Sequence, residues 1–492
     1  MTTDAAAAGP FAYDEVAYPT PIISMQIPDE FGAAVLLQGL MPAPAETASV
    51  LEIGCGTGFN VLAGAAMFPG GRYVGFDLSE SAVAVGARLA SEAGLTNARL
   101  EHGDILTWPR DGELFDYITC HGVYTWIPKH VREPLLELVR ARLAPGGVAY
   151  ISYDCLPAAA TKASIVPFLR QAVSGIEGMD AQVDAAGAIL AALAANQRGK
   201  SRLKPTLDFV AEGLSSYARG YFFHDWLAEF YAPSSLQDFA DAADRQGLAF
   251  VGDAHLRDLY EHDLDEAGHD LLKAAGHDRL SRNVVLDLLR GDHQFRHDLL
   301  VRQDAPPAAC PDSLPRLRFS FAGERIERDE GGRPLVRYAL RRASFETFST
   351  REWAVMDAIY NARPGRPSLQ ELLPAAGGDE PFLRALLWRM AVLGVIDSHS
   401  AAPSFTVDPG ERPRAGSLVR ASATHLDKMI TFRPSQLPVA DPVSRHFLRL
   451  CDGTRTPAEI AAAMSAEFGG DVSLDNVAQA IKTFAHQGVF EA

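Results

Sequence analysis

The chain has 492 residues, of which 47% are hydrophobic and 22% charged, so it is long enough to form several globular domains. Its formal net charge of -17 argues against a nucleic-acid partner, because most of the surface would repel phosphate. The five scattered cysteines are typical of reduced thiols, and the absence of a long apolar run or a signal peptide predicts a cytoplasmic protein with no membrane partner.

The region from residue 46 to residue 157 alternates short apolar strands with helices. Strands are predicted at SVLEI (49–53), RYVGFD (72–77), ARLEHGD (98–104), FDYITC (115–120) and VAYISY (148–153), with helices over 59–68, 78–94 and 131–147. This alternation predicts an α/β, Rossmann-like core with a parallel sheet. Ligands bind such sheets beyond the carboxyl ends of the strands.

The turn after the first strand reads VLEIGCGTGF (50–59), with alternating Gly54, Gly56 and Gly58. It lacks the Lys of a phosphate-binding loop and the last glycine of a dinucleotide fingerprint. One acid lies at the end of each of three successive strands: Glu52 suits an amine, Asp77 suits ribose hydroxyls, and Asp104 suits an adenine amino group. The pattern predicts S-adenosylmethionine as cofactor. The alternative is a plain tight turn flanked by exposed acids.

This stretch resembles the class I S-adenosylmethionine-dependent methyltransferases. The resemblance implies that Glu52 and the three glycines hold the methionine end, that Asp77 holds the ribose, and that Asp104 and Ile105 lie at the adenine. The predicted cofactor set is completed by Cys55, Thr57, Leu78, Cys120 and His121.

Segments outside the glycine turn resemble a narrower group within these methyltransferases. FAYDEVAYP (11–19), CHGVYTWIP (120–128), ISYDCLP (151–157) and residues 224–251 together look like bacterial methyltransferases that carry a methyltransferase regulatory domain. That group includes rickettsial protein lysine methyltransferases that act on outer-membrane proteins, and it implies a protein or peptide partner and a homodimer. This chain has Ala17 where the family usually has proline, and Ala158–Ala159 where it often has Gly-Trp.

Aromatic and polar residues near the ends of strands four and five are the candidates for the acceptor side. We expect Tyr124, Trp126 and Tyr153 to frame an acceptor, because aromatic faces attract an ammonium. His121 and Asp154 are candidate proton acceptors, and Asp154 could instead hold a cationic acceptor. The candidates for closing over this edge are Tyr13 and Tyr18. Plain packing, a satisfied histidine and a turn cap are the structural alternatives for these residues.

No metal site is expected from the spacing of histidines. The segment HQFRH (293–297) has two histidines four residues apart but lacks the HExxH pattern of zinc proteases. It matches instead a helix of the family that it resembles.

The organisation that we predict has six parts. They are an N-terminal cap segment (1–45), the Rossmann-like core (46–157), a helical regulatory or substrate domain (158–303), a linker with a β-hairpin (304–345), and two winged-helix-like units (346–400 and 401–492). Ser79 and Thr456 are predicted to cap helices. The longest helix of the last unit, from Val477 to His486, has no arginine, which disfavours DNA binding.

The sequence therefore predicts a methyltransferase that acts on a protein or peptide side chain. The reaction would be lysine N-methylation, or methylation of a carboxylate or another side chain in a ribosomal natural-product precursor, since LCDGTRTPAEIAAAM (450–464) resembles leader-peptide recognition domains. Two alternatives stay open: a small-molecule biosynthetic methyltransferase, and a DNA-binding regulator with a vestigial methyltransferase core.

Overall fold

The structure is a computed structural model, and it describes residues 14, 16, 18, 21–199, 201–213, 218–256, 259–261, 263–330, 333–339 and 344–492. Within these residues no helix is both long enough and apolar enough to span a bilayer.

The central sheet is formed by strands from both the predicted core and the region that follows it. Its strands are β1 (Ser49–Ile53), β2 (Arg72–Asp77), β3 (Ala98–His102), β4 (Phe115–Cys120), β5 (Leu143–Leu156), β6 (Ser234–Ser235), β7 (Leu248–Asp253) and β8 (Phe295–Arg302). The order is β3-β2-β1-β4-β5-β8-β7, and the short β6 pairs with β5. β8 is antiparallel to β5 and β7, whereas β1 to β5 pair in parallel. The predicted α/β, Rossmann-like class is confirmed.

Helices cover both faces of this sheet and form the region after it. They are α1 (Pro28–Leu37), α2 (Phe59–Met67), α3 (Glu80–Glu92), α4 (Lys129–Arg142), α5 (Ala160–Val173), α6 (Met179–Ala195), α7 (Lys204–Gly213), α8 (Arg219–Trp226), α9 (Leu236–Arg245), α10 (Glu266–Ala274) and α11 (Arg279–Arg290). The hydroxyl of Ser79 caps α3 by accepting from the amide of Ala82. The cap satisfies an amide that has no partner inside the helix.

Two predictions for residues 158–303 are corrected. The region is not all-helical, because β6, β7 and β8 belong to the central sheet. The segment from residue 295 to residue 302 is strand β8 and not a helix. The helix was predicted from the resemblance, and the sequence FRHDLLVR of β8 does not alternate between apolar and polar residues as a half-buried strand would, because β8 lies between two strands and is largely buried.

The rest of the chain consists of short strands and helices. After the short strand β9 (Arg318–Ser320) come β10 (Glu324–Glu330), β11 (Arg333–Ala339), β12 (Ser344–Thr347), α12 (Thr350–Asn361), α13 (Leu369–Leu372), α14 (Glu380–Val392), β13 (Asp397–His399), α15 (Ser417–His425), β14 (Lys428–Ile430), β15 (Gln436–Pro438), α16 (Pro442–Leu450), α17 (Pro457–Phe468) and α18 (Leu474–His486). β10 and β11 form the predicted hairpin, whose Gly331–Gly332 turn lies outside the described residues.

The C-terminal elements pack onto the Rossmann-like core. Buried side chains of α15 to α18 belong to the same apolar cluster as those of α2, such as Leu62. On the other side, Asp29 of α1 is buried and is bonded by Arg366 at 2.5 Å and by His399 at 3.0 Å. The unit predicted at 401–492 therefore shares an apolar core with the Rossmann-like core, and α1 shares polar contacts with the unit predicted at 346–400.

Candidate functional site

The three alternating glycines form the turn between β1 and α2. Gly54, Gly56 and Gly58 all have positive φ, at 73°, 53° and 68°. L-residues with a side chain rarely adopt this conformation. A Cβ on Gly54 would lie 2.4 Å from the Val123 side chain, and one on Gly58 would lie 2.5 Å from Leu100. The turn is therefore pressed against the loop after β4 on one side and against β3 on the other.

Asp77 connects the end of β2 to this turn. Its Oδ2 accepts a hydrogen bond from the amide of Gly56 at 2.7 Å, and its Oδ1 accepts one from the amide of Ser79 at 2.8 Å. Burial raises the pKa of Asp77, while these backbone bonds oppose the rise. A carboxylate has about four acceptor positions, so two remain for hydroxyl donors such as those of a ribose.

Glu52 is a buried acid that lacks a complete set of partners. It is 4% exposed, and its Oε1 accepts a hydrogen bond from Asn60 at 3.0 Å. Its Oε2 is buried and has no hydrogen-bond partner in the part of the chain that the structure describes. Burial raises the pKa of Glu52 to about 8. An unpartnered carboxyl oxygen at the end of β1 fits the amine of the predicted cofactor, as does the close-packed glycine turn.

The loop after β3 provides the predicted adenine side. Asp104 and Ile105 are half-buried, and Asp104 Oδ1 accepts from the amide of Leu106 at 2.9 Å. Leu78, directly after Asp77, is 43% exposed. Trp108 stacks on Phe76 with ring centroids 4.0 Å apart, which holds this loop against β2. A half-exposed apolar side chain beside a carboxylate is suited to the face and the amino edge of a base.

Three further residues of the predicted cofactor set differ in exposure. The side chains of Cys55 and Cys120 are buried in the core, whereas Thr57 is half-buried. Only the backbone of the two cysteines is therefore positioned to contact a cofactor. The amide of Cys55 itself donates to the carbonyl of Phe76 at 3.1 Å.

His121 lies at the end of β4 in a polar network. Its Nδ1 lies 2.8 Å from the hydroxyl of Tyr150 and 3.2 Å from that of Ser152. Burial and, to a lesser degree, the nearby His255 lower the pKa of His121 to about 4. The imidazole is consequently neutral at physiological pH and is a weak base.

Tyr124 and Tyr153 lie in the core, and the expectation that they face an acceptor is corrected. Tyr153 is completely buried, its hydroxyl donates to Asp298 at 2.5 Å, and its ring centroid is 4.4 Å from that of Phe239 in α9. Tyr124 is 3% exposed and packs edge-on against the same phenylalanine. Side chains alternate along a strand, so Tyr153 points to the face covered by α9, opposite to Asp154.

Trp126 forms part of an aromatic enclosure around the ammonium of Lys162, which we call the lysine cage. The Lys162 Nζ lies 4.7 Å from the ring centre of Trp126, 4.9 Å from that of Tyr231 and 5.5 Å from that of Trp226. Lys162 itself is only 6% exposed. Each of these distances is within the range of a cation–π interaction.

Two carboxylates complete the lysine cage. Asp154 Oδ2 lies 3.2 Å from the Lys162 Nζ and accepts a hydrogen bond from Tyr231 at 2.5 Å. Asp225 Oδ2 lies 3.6 Å from the same nitrogen, and burial raises its pKa. Asp154 thus binds the ammonium of Lys162, which agrees with the prediction that this residue could hold a cation.

The lysine cage adjoins the glycine turn through the loop after β4. Val123 contacts Gly54, and the amide of Trp126 donates to the carbonyl of Val123 at 2.9 Å, which closes a tight turn. Sequence reasoning missed Lys162, Asp225, Trp226 and Tyr231. Three of these lie in HDWLAEFY (224–231), and their aromatic and acidic composition was the available signal.

Asp14 and Tyr18 are two of the described residues of the N-terminal segment, and each contacts a helix of the region that follows. The ring of Tyr18 lies 5.8 Å from that of Tyr221 and 5.6 Å from that of His224, so Tyr18 packs on α8. Asp14 accepts hydrogen bonds from Ser79 and Ser81 at the start of α3. Tyr13 lies outside the described residues.

Comparisons with known proteins agree with this architecture. The family described as "Methyltransferase domain" matches residues 50–147, and the family described as "Predicted methyltransferase regulatory domain" matches residues 218–302. The uncharacterised protein RP028 of Rickettsia prowazekii is 32% identical over 238 residues, which are 48% of this chain and 94% of that protein. RP789 of the same organism is 26% identical over 59% of this chain, which spans only 53% of the length of that protein.

A solved structure covers nearly the whole chain. PKMT2 from Rickettsia typhi, in complex with AdoHcy, superposes with a TM-score of 0.80 at 22% identity, over 96% of this chain and 99% of that one. At this level of identity the match establishes the fold, including the regions on both sides of the methyltransferase core.

Proposed function

Because the chain belongs to the S-adenosylmethionine-dependent methyltransferases that carry a methyltransferase regulatory domain, we propose that it methylates the amine of lysine side chains in a protein or peptide. The observation that carries this proposal is the lysine cage, which surrounds one alkylammonium with three rings and two carboxylates at the carboxyl edge of the sheet. A small neutral acceptor or a carboxylate would find no favourable partner there.

The cofactor residues have separate tasks in this proposal. Bound S-adenosylmethionine supplies an activated methyl group on a sulfonium. Glu52 Oε2 would accept from the cofactor amine, Asp77 from the ribose hydroxyls, and Asp104 from the adenine amino group. Packing requires glycine at positions 54 and 58, because a Cβ there would clash with Val123 and Leu100. A turn without side chains would also let the backbone approach the cofactor closely.

The lysine cage would orient the acceptor and help to remove its proton. The acceptor ammonium would take the place of Lys162, which occupies the cage in this structure. Aromatic walls exclude water from the acceptor. Asp225, whose pKa is raised by burial, is placed to take the proton, whereas His121 is too weak a base for this role.

The predicted polypeptide partner fits the charge of the molecule. The net charge of -17 favours basic, lysine-containing segments over nucleic acid. We also infer that the units predicted at 346–400 and 401–492 hold the polypeptide, because they follow the catalytic core, and the second resembles leader-peptide recognition domains.

The test is mass spectrometry of a lysate of candidate polypeptides after incubation with an isotopically labelled methyl donor. Labelled methyl groups on lysine Nζ atoms are the expected result. Gly56→Val is the control without cofactor binding, because a β-branched residue is strained at a φ of 53°. Label confined to carboxylates, to other side chains or to small molecules would overturn the lysine proposal.

A further inference from the structure

A second group of chemically active side chains lies at the carboxyl edge of the sheet, apart from the glycine turn and the lysine cage. It consists of Asp253, His255 and His297, which we call the histidine cluster. One carboxylate oxygen and one nitrogen from each ring lie within 4.8 Å of one another. Asp253 ends β7, and His297 of β8 lies opposite Ser152 of β5. Nothing in the proposed methyl transfer uses these groups.

The two imidazole rings face each other with one nitrogen unsatisfied. The ring centroids of His255 and His297 are 4.0 Å apart at an angle of 45°. Nδ1 of His297 is buried and has no hydrogen-bond partner among the described residues. Buried polar atoms in proteins are usually hydrogen-bonded, so this nitrogen is available to a further ligand.

Asp253 is held in a fixed orientation with room for one further partner. Its Oδ1 accepts from the amide of His255 at 2.7 Å, and its Oδ2 lies 3.3 Å from the amide of His297 and 3.2 Å from Nε2 of His293. These three donors leave about one of the four acceptor positions of a carboxylate unused. His293 is itself anchored by Asp287 at 2.8 Å, so a network beyond the cluster orients the carboxylate.

We propose that Asp253, His255 and His297 bind a divalent transition-metal ion of the zinc class. Two imidazoles and one carboxylate are a common ligand set for such ions, whereas magnesium and calcium prefer oxygen ligands alone. Three protein ligands leave one coordination position open. The exposure of His255 gives the ion a path from solvent.

A bound ion would stabilise the carboxyl edge of the sheet, where the proposed cofactor and acceptor sites also lie. Coordination would join the end of β7 to β8, which pairs with β5 beside Ser152. The ring of His297 lies 5.9 Å from that of His121, which shares a hydrogen bond with Ser152. Sequence spacing does not reveal the site, because Asp253 and His297 are 44 residues apart.

The experiment uses the full chain without an affinity tag, treated with a chelator and dialysed. Isothermal titration with zinc chloride is expected to show one ion per chain, and cobalt is expected to give the visible absorption bands of a site with nitrogen and oxygen ligands. His297→Ala and His255→Ala should each weaken zinc binding by on the order of 100-fold. His130→Ala, at an exposed position on α4, is the matched control and should bind like wild type.

Binding of S-adenosylhomocysteine, measured in each variant, shows whether the protein is folded, because the cofactor residues lie outside the histidine cluster. Absence of stoichiometric zinc and cobalt binding by the wild-type chain would overturn the proposal. Retention of wild-type zinc affinity in both histidine variants, with S-adenosylhomocysteine binding intact, would overturn it equally.

Discussion

The substitution Glu52→Gln tests whether the buried carboxyl at the end of β1 holds the amine of the cofactor. Glu52 is 4% exposed, Asn60 donates to its Oε1 at 3.0 Å, and its Oε2 has no partner within the described ranges. Glutamine keeps the size of the side chain and the oxygen that accepts from Asn60. It replaces the second oxygen with an NH2 donor, which cannot accept from an ammonium.

The expected loss of affinity follows from the single interaction removed. A hydrogen bond between charged groups contributes about 1.5–3 kcal/mol, and each 1.4 kcal/mol is a factor of about ten in the dissociation constant. Glu52→Gln should therefore weaken binding of S-adenosylhomocysteine by about 10- to 150-fold, as measured by isothermal titration calorimetry.

The same substitution has a signature in proton release. Burial holds the pKa of Glu52 at about 8, so this carboxyl is protonated at pH 6.5 in the free protein and should ionise when the ammonium arrives. Binding by the wild-type chain should release about one proton, seen as a dependence of the enthalpy on the ionisation enthalpy of the buffer. Glu52→Gln should release none.

Protein stability should depend on pH in the corresponding sense. The pKa of Glu52 is raised from 4.5 to about 8 in the folded state, so the folded chain binds more protons than the unfolded chain between these values. The contribution of this group to stability is complete below pH 4.5 and is lost as the pH rises to about 8. Glu52→Gln should lack that decline in thermal denaturation.

The matched control is Glu137→Gln, which changes an exposed acid on α4. It should leave the affinity, the proton release and the pH profile of stability unchanged. If Glu52→Gln bound S-adenosylhomocysteine as tightly as wild type, or released the same proton, the assignment of Glu52 to the amine would be refuted.

Three further substitutions test the glycine turn and the lysine cage. Gly54→Ala places a Cβ 2.4 Å from Val123 at a φ of 73°, so S-adenosylhomocysteine binding should be lost. Gly146 also has a positive φ but has open space around it, so Gly146→Ala should retain binding. Equal affinities of the two variants in calorimetry would contradict the packing argument. Trp126→Ala removes one wall of the lysine cage, so turnover on a lysine acceptor should fall on the order of a hundredfold with cofactor affinity unchanged. The control is Trp388→Ala, which changes a partly exposed tryptophan of α14 and should have no effect. Unchanged turnover in Trp126→Ala would remove the cage from the acceptor site. Lys162→Ala leaves Asp154 and Asp225 without their cation, so the melting temperature should fall by several degrees. Added butylamine should restore part of the melting temperature by filling the empty cage. The Michaelis constant for a lysine acceptor should decrease, because the acceptor no longer competes with Lys162. Insensitivity of the melting temperature to butylamine would show that the cage does not accept an external ammonium.

The sequence by itself determined the Rossmann-like core and the position of the glycine turn, because the signals are local. Gly54, Gly56 and Gly58 are required where the backbone turns with positive φ, and Glu52, Asp77 and Asp104 lie at or just beyond the ends of β1, β2 and β3. The caps at Ser79 and Thr456 were predictable for the same reason, since the hydroxyl in each bonds an amide three residues later.

Only the tertiary structure decided which aromatic side chains line the lysine cage and which are buried in the core. Tyr153 lies near the end of β5 and Trp126 follows β4 of the same sheet, yet α9 covers the first and leaves the second beside Lys162. The lysine cage joins loops and helices that are distant in sequence, as does the histidine cluster. The helix at β8 was predicted from the resemblance, and the sequence of β8 does not alternate as a half-buried strand would, because β8 lies between two strands. Burial and pairing depend on the segments that pack against a residue, and the chemistry of a single segment does not contain that information.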